Sequence, residues 1–222
     1  TLCKDGDTVL DVGANLGGFT VPLAERVGPG GEVHAFEPFR KLFQHLNANV
    51  ALNGLANVYT YNVAVGRESK ELELHGPDLS VFGVPSAMKV AKQQTPTMAF
   101  ENDHILYDSK RSKVSMRTLD SFDFGERVDL IKIDVEFMEL EVVLGARETI
   151  RRYRPVIWAE NEHFFRKASD RTFVDTMEAE FGYLCQPVAD LELLCTAEDA
   201  TERVVSLIVP LFKHLNAAIS HM

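Results

Sequence analysis

Three features of this 222-residue sequence predict an α/β fold, a mostly parallel sheet with helices on both faces. Short apolar runs alternate with amphipathic stretches along most of the chain, the pattern of parallel strands that cross over through helices. The first apolar run, residues 8–12, closes on the glycine-rich turn Gly13-Ala14-Asn15-Leu16-Gly17-Gly18. The next, residues 32–37 (Glu-Val-His-Ala-Phe-Glu), ends in an acid 20 residues after Gly17.

Residues 8–12 read as a buried strand, and the glycines after it let the backbone turn tightly and approach a ligand, since glycine tolerates positive φ without steric cost. A helix follows over about residues 18–26, with Pro22 near its start, where a missing N–H does no harm. The second strand is 32–37. The second helix is 39–53, with Leu42, Phe43, Leu46 and Val50 on one stripe at helical spacing, which reads as core. Strands are predicted at 58–63, 129–135 and 155–160, with helical patterns at 139–152 and 170–181. Residues 183–188 and 204–211 are expected to finish a seven-stranded sheet as an antiparallel hairpin. The whole chain, 1–222, reads as one domain.

The segment 76–112 breaks this rhythm. It holds Gly76, Pro77, Gly83, Pro85 and Pro96 with scattered Phe82, Met88, Met98 and Phe100. A loop this long is usually functional or disordered, and its apolar residues argue against pure disorder. It reads as a substrate-covering lid, with an inert loop as the alternative.

At this length a domain buries roughly 70% of its unfolded surface. An apolar fraction of 45% and a charged fraction of 25% are ordinary for a globular protein. A net charge of −10 lacks the basic footprint of a nucleic-acid groove. The short basic clusters 110–113 and 151–154 read as solvated surface. Cys3, Cys185 and Cys195 are odd in number and share no CxxC spacing, so they suggest buried thiols in a reducing, cytoplasmic setting rather than disulfides or zinc. No signal peptide or membrane-spanning run is legible, and the oligomeric state is not legible at all. The first strand begins so early that helices preceding it, which cover the substrate pocket in many proteins of this architecture, must come from a longer chain or be replaced from elsewhere.

The turn and the acid after it describe a nucleotide-like cofactor. A carboxylate at Glu37 can accept both hydroxyls of a ribose. The dinucleotide fingerprint wants glycine at its first, third and sixth positions, but here these are Gly13, Asn15 and Gly18. Asp11, close to the turn, would repel a pyrophosphate and suits an ammonium. S-adenosylmethionine carries that ammonium and a ribose diol and has no phosphate. A nicotinamide dinucleotide and a vestigial, non-catalytic binding fold remain as alternatives.

Six pieces in order carry a resemblance: residues 9–19 (VLDVGANLGGF), 33–38 (VHAFEP), 57–66 (NVYTYNVAVG), 117–120 (RTLD), 129–136 (DLIKIDVE) with 140–146 (LEVVLGA), and 154–160 (RPVIWAE). Over most of its length the chain resembles the FkbM family of S-adenosylmethionine-dependent methyltransferases. The resemblance implies a Rossmann-like class I methyltransferase fold and methyl transfer to a hydroxyl oxygen on a sugar or a natural-product scaffold. With the strand positions it implies cofactor contacts at Asp11, Gly13, Asn15, Gly17, Phe19, Glu37, Pro38, Asn62, Ala64 and Asp134. The chain departs from the family at Phe137 and Met138, where glycine and a small or aromatic residue usually stand; this places the acceptor class in question, not the cofactor.

Acids close several strands: Asp11, Glu37, Asp134 with Glu136, and Glu160 with Glu162. Asp134 ends a run that must be buried, so it must meet a cation, donors or water; Lys132, two residues earlier, is one such cation. An alcohol is a poor nucleophile until its proton can leave, so a base is needed. His163 is a candidate because it titrates near neutrality, and Glu136 and Glu160 are comparable. Asp134, Glu136, Glu139 and Glu160 could instead hold a divalent cation through oxygens, although no metal is expected.

Overall fold

The computed structural model of the chain describes residues 2–77, 107–135, 137–161, 171–189 and 191–198. Strand β1 (Thr8–Val12) is buried along its whole length. It is flanked in parallel by β2 (Glu32–Phe36) and β7 (Leu130–Ile133), with Val12 opposite both Phe36 and Ile133. Helices α1 (Thr20–Val27) and α2 (Arg40–Leu52) carry the crossovers from β1 to β2 and from β2 to β3 (Val58–Tyr61). The chain then leaves the sheet through β4 (Ala64–Val65), β5 (Lys70–Pro77) and β6 (Tyr107–Arg117), and a 3-10 turn at Leu119–Ser121 leads back to β7. Helices α3 (Glu139–Leu144) and α4 (Arg147–Tyr153), strand β8 (Val156–Glu160), helix α5 (Thr172–Phe181) and strands β9 (Tyr183–Ala189) and β10 (Glu192–Ala197) complete the described chain.

The main sheet has seven strands in the order β3-β2-β1-β7-β8-β10-β9, and β10 runs against both of its neighbours. Period-two alternation sends side chains to two cores. Leu10, Val12, Phe36, Ile131, Ile133 and Ile157 pack under α3, α4 and α5 against Val142, Val143, Ile150 and Met177. Val9, Val33 and Leu130 pack on the other face against Ala24 and Val27 of α1. Each such fully buried aliphatic side chain contributes roughly 1.5–3 kcal/mol. Of the predicted stripe on α2, Leu42 and Leu46 are buried, while Phe43 and Val50 are partly buried against the Leu46 cluster.

Several expectations are corrected. The single helix over 139–152 is two helices. A Cβ on Gly145 would lie 2.0 Å from the Gly66 carbonyl oxygen, so the chain between β4 and β5 passes where a continuous helix would need room. Asp120 then starts the second helix by accepting hydrogen bonds from the Glu148 N–H (3.0 Å), the Thr149 N–H (2.8 Å) and the Thr149 hydroxyl (2.8 Å). The segment 76–112 is not irregular throughout: residues 107–112 belong to β6, paired antiparallel with β5 in a second sheet of order β4-β6-β5. Residues 78–106, and the lid expected there, lie outside the described residues. The partner of β9 is Glu192–Ala197 rather than 204–211, a stretch that also lies outside them. A tight turn through Leu191, at φ 66°, closes that hairpin.

The cysteine expectation is corrected too. Cys185 and Cys195 stand opposite each other in the antiparallel register, Cα atoms 4.0 Å apart, and form a disulfide. Sequence spacing says nothing about residues that strand pairing brings face to face. Cys3 is a free buried thiol, its pKa pushed up chiefly by burial. Among the described residues no helix is long and apolar enough to cross a membrane.

Candidate active site

Strand order reverses between β1 and β7, and in open α/β sheets ligands sit at such a point beyond the carboxyl ends of the strands. The turn after β1 is wedged there. The N–H groups of Gly13 and Ala14 both donate to the Phe36 carbonyl at 3.0 Å, and the Asp134 N–H donates to the Val12 carbonyl at 2.9 Å. Gly13 has φ 86°, and a Cβ there would fall 1.8 Å from the Asp134 carbonyl oxygen. Glycine at this position is therefore required by the β7 backbone. Gly17, at φ 90°, serves α2 instead, since its Cβ would come 2.9 Å from Leu46 Cδ1.

A cleft opens in front of this turn, with about 630 Å³ of empty space including space open to solvent. Gly13, Asn15, Glu37, Pro38, Ala64 and Asp134 all line it, and Phe36, Phe39, Leu42, Val63 and Met138 supply its apolar wall. Glu37 is only 3% exposed. Its carboxylate oxygens accept from the Asn15 N–H (2.9 Å) and the Phe39 N–H (2.8 Å), which ties the turn to the end of β2. Burial pushes its pKa up to about 7. Asn15 adopts φ 52°, and its buried Oδ1 has no hydrogen-bond partner.

Other sequence candidates fall outside the cleft lining. Asp11 is fully buried behind the turn, where its Oδ2 accepts from the Thr20 hydroxyl at 2.6 Å. The Lys132 ammonium lies 3.6 Å from its Oδ1 and 3.2 Å from Asp134 Oδ2, so one buried cation bridges both acids. Burial alone would push Lys132 down, but Asp11 and Asp134 overcome it and hold its pKa above the ordinary value. Phe19 packs edge-on against Trp158 (5.1 Å) and under the Lys132 ammonium (4.5 Å). Asn62 donates to the carbonyls of Glu37 (2.9 Å) and Pro38 (3.0 Å), bracing the turn after β2. Glu160 ends β8, half-buried. Glu136 and His163 lie outside the described residues.

Sequence reasoning passed over Glu139 as a site residue except as part of a possible metal cluster. It is 3% exposed at the start of α3, accepts from the Phe137 N–H at 2.9 Å, and is pushed up to about 8 by burial, with Asp134 and Glu160 adding to the effect. An acid at the first position of a helix, five residues beyond Asp134, was the available signal. Phe137 adopts φ 75°, so the phenylalanine sits in the left-handed conformation that glycine takes freely. Among the described residues no group of three or more His, Cys, Asp or Glu side chains is placed to hold a metal ion.

Residues 11–185 match the methyltransferase FkbM domain. The chain belongs to the FkbM methyltransferase family. It is 28% identical over 153 residues to Methyltransferase 1 of Beauveria bassiana, covering 64% of this chain and 59% of that protein. It is 31% identical over 160 residues to the AMB antimetabolite synthetase AmbE of Pseudomonas aeruginosa, covering 62% of this chain and 7% of the synthetase. Its fold matches the crystal structure of the FkbM methyltransferase of Methylobacillus flagellatus, with a TM-score of 0.59 over 87% of this chain and 44% of that one, at 15% identity. The seven-stranded sheet with its reversed strand is thus the Rossmann-like methyltransferase architecture. The chain spans less than two thirds of the length of each of these proteins.

Proposed function

We propose that the protein binds S-adenosylmethionine in the cleft beyond β1 and β7 and methylates a hydroxyl of a small molecule, a sugar or a natural-product scaffold. The observation that carries this reading is Glu37, a buried acid in a cleft with no cation against it among the described residues, facing a turn whose third residue is asparagine. Its oxygens each accept one backbone hydrogen bond; a carboxylate oxygen has room for another, which suits the two hydroxyls of a ribose. The unpartnered Asn15 Oδ1 is an acceptor and suits a donor such as the ligand's ammonium. Asp134 carries negative charge on the same lining. A pyrophosphate finds acids there and not the donors it needs, which disfavours a nicotinamide oxidoreductase.

The cofactor supplies a methyl group on a positively charged sulfur and leaves as a neutral thioether. The protein's part is alignment and proton removal. Asp134, held by Lys132, fixes the geometry at the methyl-bearing end. Glu160, Glu136 or His163 accepts the proton that the hydroxyl gives up as its oxygen bonds to carbon. The partial likeness to an antimetabolite synthetase supports a natural-product acceptor. Calorimetric titration tests the reading: S-adenosylhomocysteine should bind and NAD should not. The reverse result would replace this reading with the oxidoreductase. Binding without transfer of labelled methyl to any of a panel of hydroxylated metabolites would favour a non-catalytic module.

A further inference from the structure

Described residues just beyond β7 line two cavities. Asp134, Val135 and Met138 face the cofactor cleft. Phe137 and Glu139 face a second cavity of about 550 Å³, counted with its open side, which Leu140, Asn161, Thr172 and Phe173 also line. Asp134 and Phe137 are three residues apart, so at most about 11 Å of chain lies between them. The second cavity therefore adjoins the end of the cleft assigned to the reacting methyl.

Phe137 supplies an independent observation. Its φ of 75° is a conformation that non-glycine side chains adopt at a cost, and such strain collects at functional sites. Phe137 lines the second cavity. The strained turn also presents the Phe137 N–H to Glu139 at 2.9 Å, which orients the buried carboxyl.

We infer that this second cavity is the acceptor pocket and that it takes a phenol-type hydroxyl, an aromatic ring packed against Phe137 and Phe173 with its O–H donated to Glu139. This rests on the methyltransferase reading above. Aromatic rings gain from edge or offset contact with other rings. Phe137, Leu140 and Phe173 give this lining an apolar side that suits the face of an aromatic ring, while Glu139, Glu141, Asn161 and Thr172 make up its polar side. An anionic ring would find no cation among the described residues of this lining. Phe137 is then a specificity-determining residue.

Ligand-observed NMR with phenol, benzoate and glucose as probes, in saturating S-adenosylhomocysteine, tests the inference. Phenol should bind the wild-type protein, with benzoate and glucose at least tenfold weaker. Phe137→Gly is the informative variant, since glycine accepts this φ and the variant should melt no lower than wild type. It should weaken phenol at least tenfold and leave S-adenosylhomocysteine affinity within twofold. Glu139→Gln should weaken phenol while Phe137 still contributes its ring. Glucose or benzoate binding as tightly as phenol, or phenol binding unchanged in Phe137→Gly, would overturn the assignment. Loss of S-adenosylhomocysteine binding by the wild-type protein is read separately: it removes the cofactor reading, while the phenol measurements made without it still decide the cavity.

Discussion

Lys132 is 4% exposed and sits between Asp11 and Asp134, and a buried cation so placed is worth most when something removes it. Lys132→Met leaves two acids facing each other, one of them fully buried, and should cost about 3–5 kcal/mol in urea denaturation. An unchanged midpoint would mean that water already satisfies Asp11. Glu37 governs a different quantity. Its carboxyl is pushed up to about 7 by burial, and ribose hydroxyls donate to the ionised form. Affinity for S-adenosylhomocysteine should therefore rise about tenfold between pH 6 and pH 8 as the carboxylate fraction grows. Glu37→Ala should weaken binding by about 1.5–3 kcal/mol and abolish that slope. A flat profile in wild type would place the ribose elsewhere.

Elements depend on contacts their own sequence does not reveal. The run Glu139–Leu144 and the run Arg147–Tyr153 each have helical patterning, and nothing local forbids joining them. Gly66, 79 residues earlier in the chain (145 − 66), forbids it by occupying the space beside Gly145. Gly145→Ala should accordingly destabilise by about 1–3 kcal/mol, the range for forced overpacking. Differential scanning calorimetry reads this directly, and a rise in melting temperature would show that the helices tolerate joining. The β9–β10 hairpin carries the Cys185–Cys195 disulfide across a sequence separation of 10. Closing so short a loop constrains the unfolded chain by about 3 kcal/mol. Reduction, or Cys185→Ala with Cys195→Ala, should lower stability by up to that amount and leave the β8 end of the sheet assembled. Equal stability with and without reductant would argue that the bond does not form in solution.

Across the molecule the two buried acids set a pH dependence. Glu37 and Glu139 have folded pKa values near 7 and 8, both raised by burial above the ordinary glutamate value. Raised acids bind more protons folded than unfolded. The stability they contribute is fully present below about pH 4.3, the unfolded value, and is lost as pH rises through 7 and then 8. The melting temperature should fall between pH 5.5 and pH 9, and Glu37→Gln with Glu139→Gln should flatten that fall. If the double variant keeps the slope, the titrating groups lie elsewhere.

The sequence by itself determined the surroundings of the turn after β1. A strand, a glycine turn and a helix follow one another within 20 residues, and parallel strands deliver their terminal residues to the same edge of the sheet. That is why Gly13, Asn15, Glu37, Pro38, Ala64 and Asp134 could be named before any coordinates and line one cleft. The strands β1, β2, β3, β7, β8 and β9 followed from the same alternation of runs; β4, β5 and β6 did not, nor did β10, where Leu193, Leu194 and Cys195 make too short an apolar run to stand out. Only the tertiary structure decided that Asp11 faces Lys132 rather than the cleft and that Gly145 must abut Gly66. It also decided that Cys185 meets Cys195 and that Phe137 opens onto a cavity shared with Phe173. Each of these is a contact between residues on different elements or on opposite sides of a turn. Patterns along a chain record which face a residue takes, whereas its partner is chosen by packing in three dimensions.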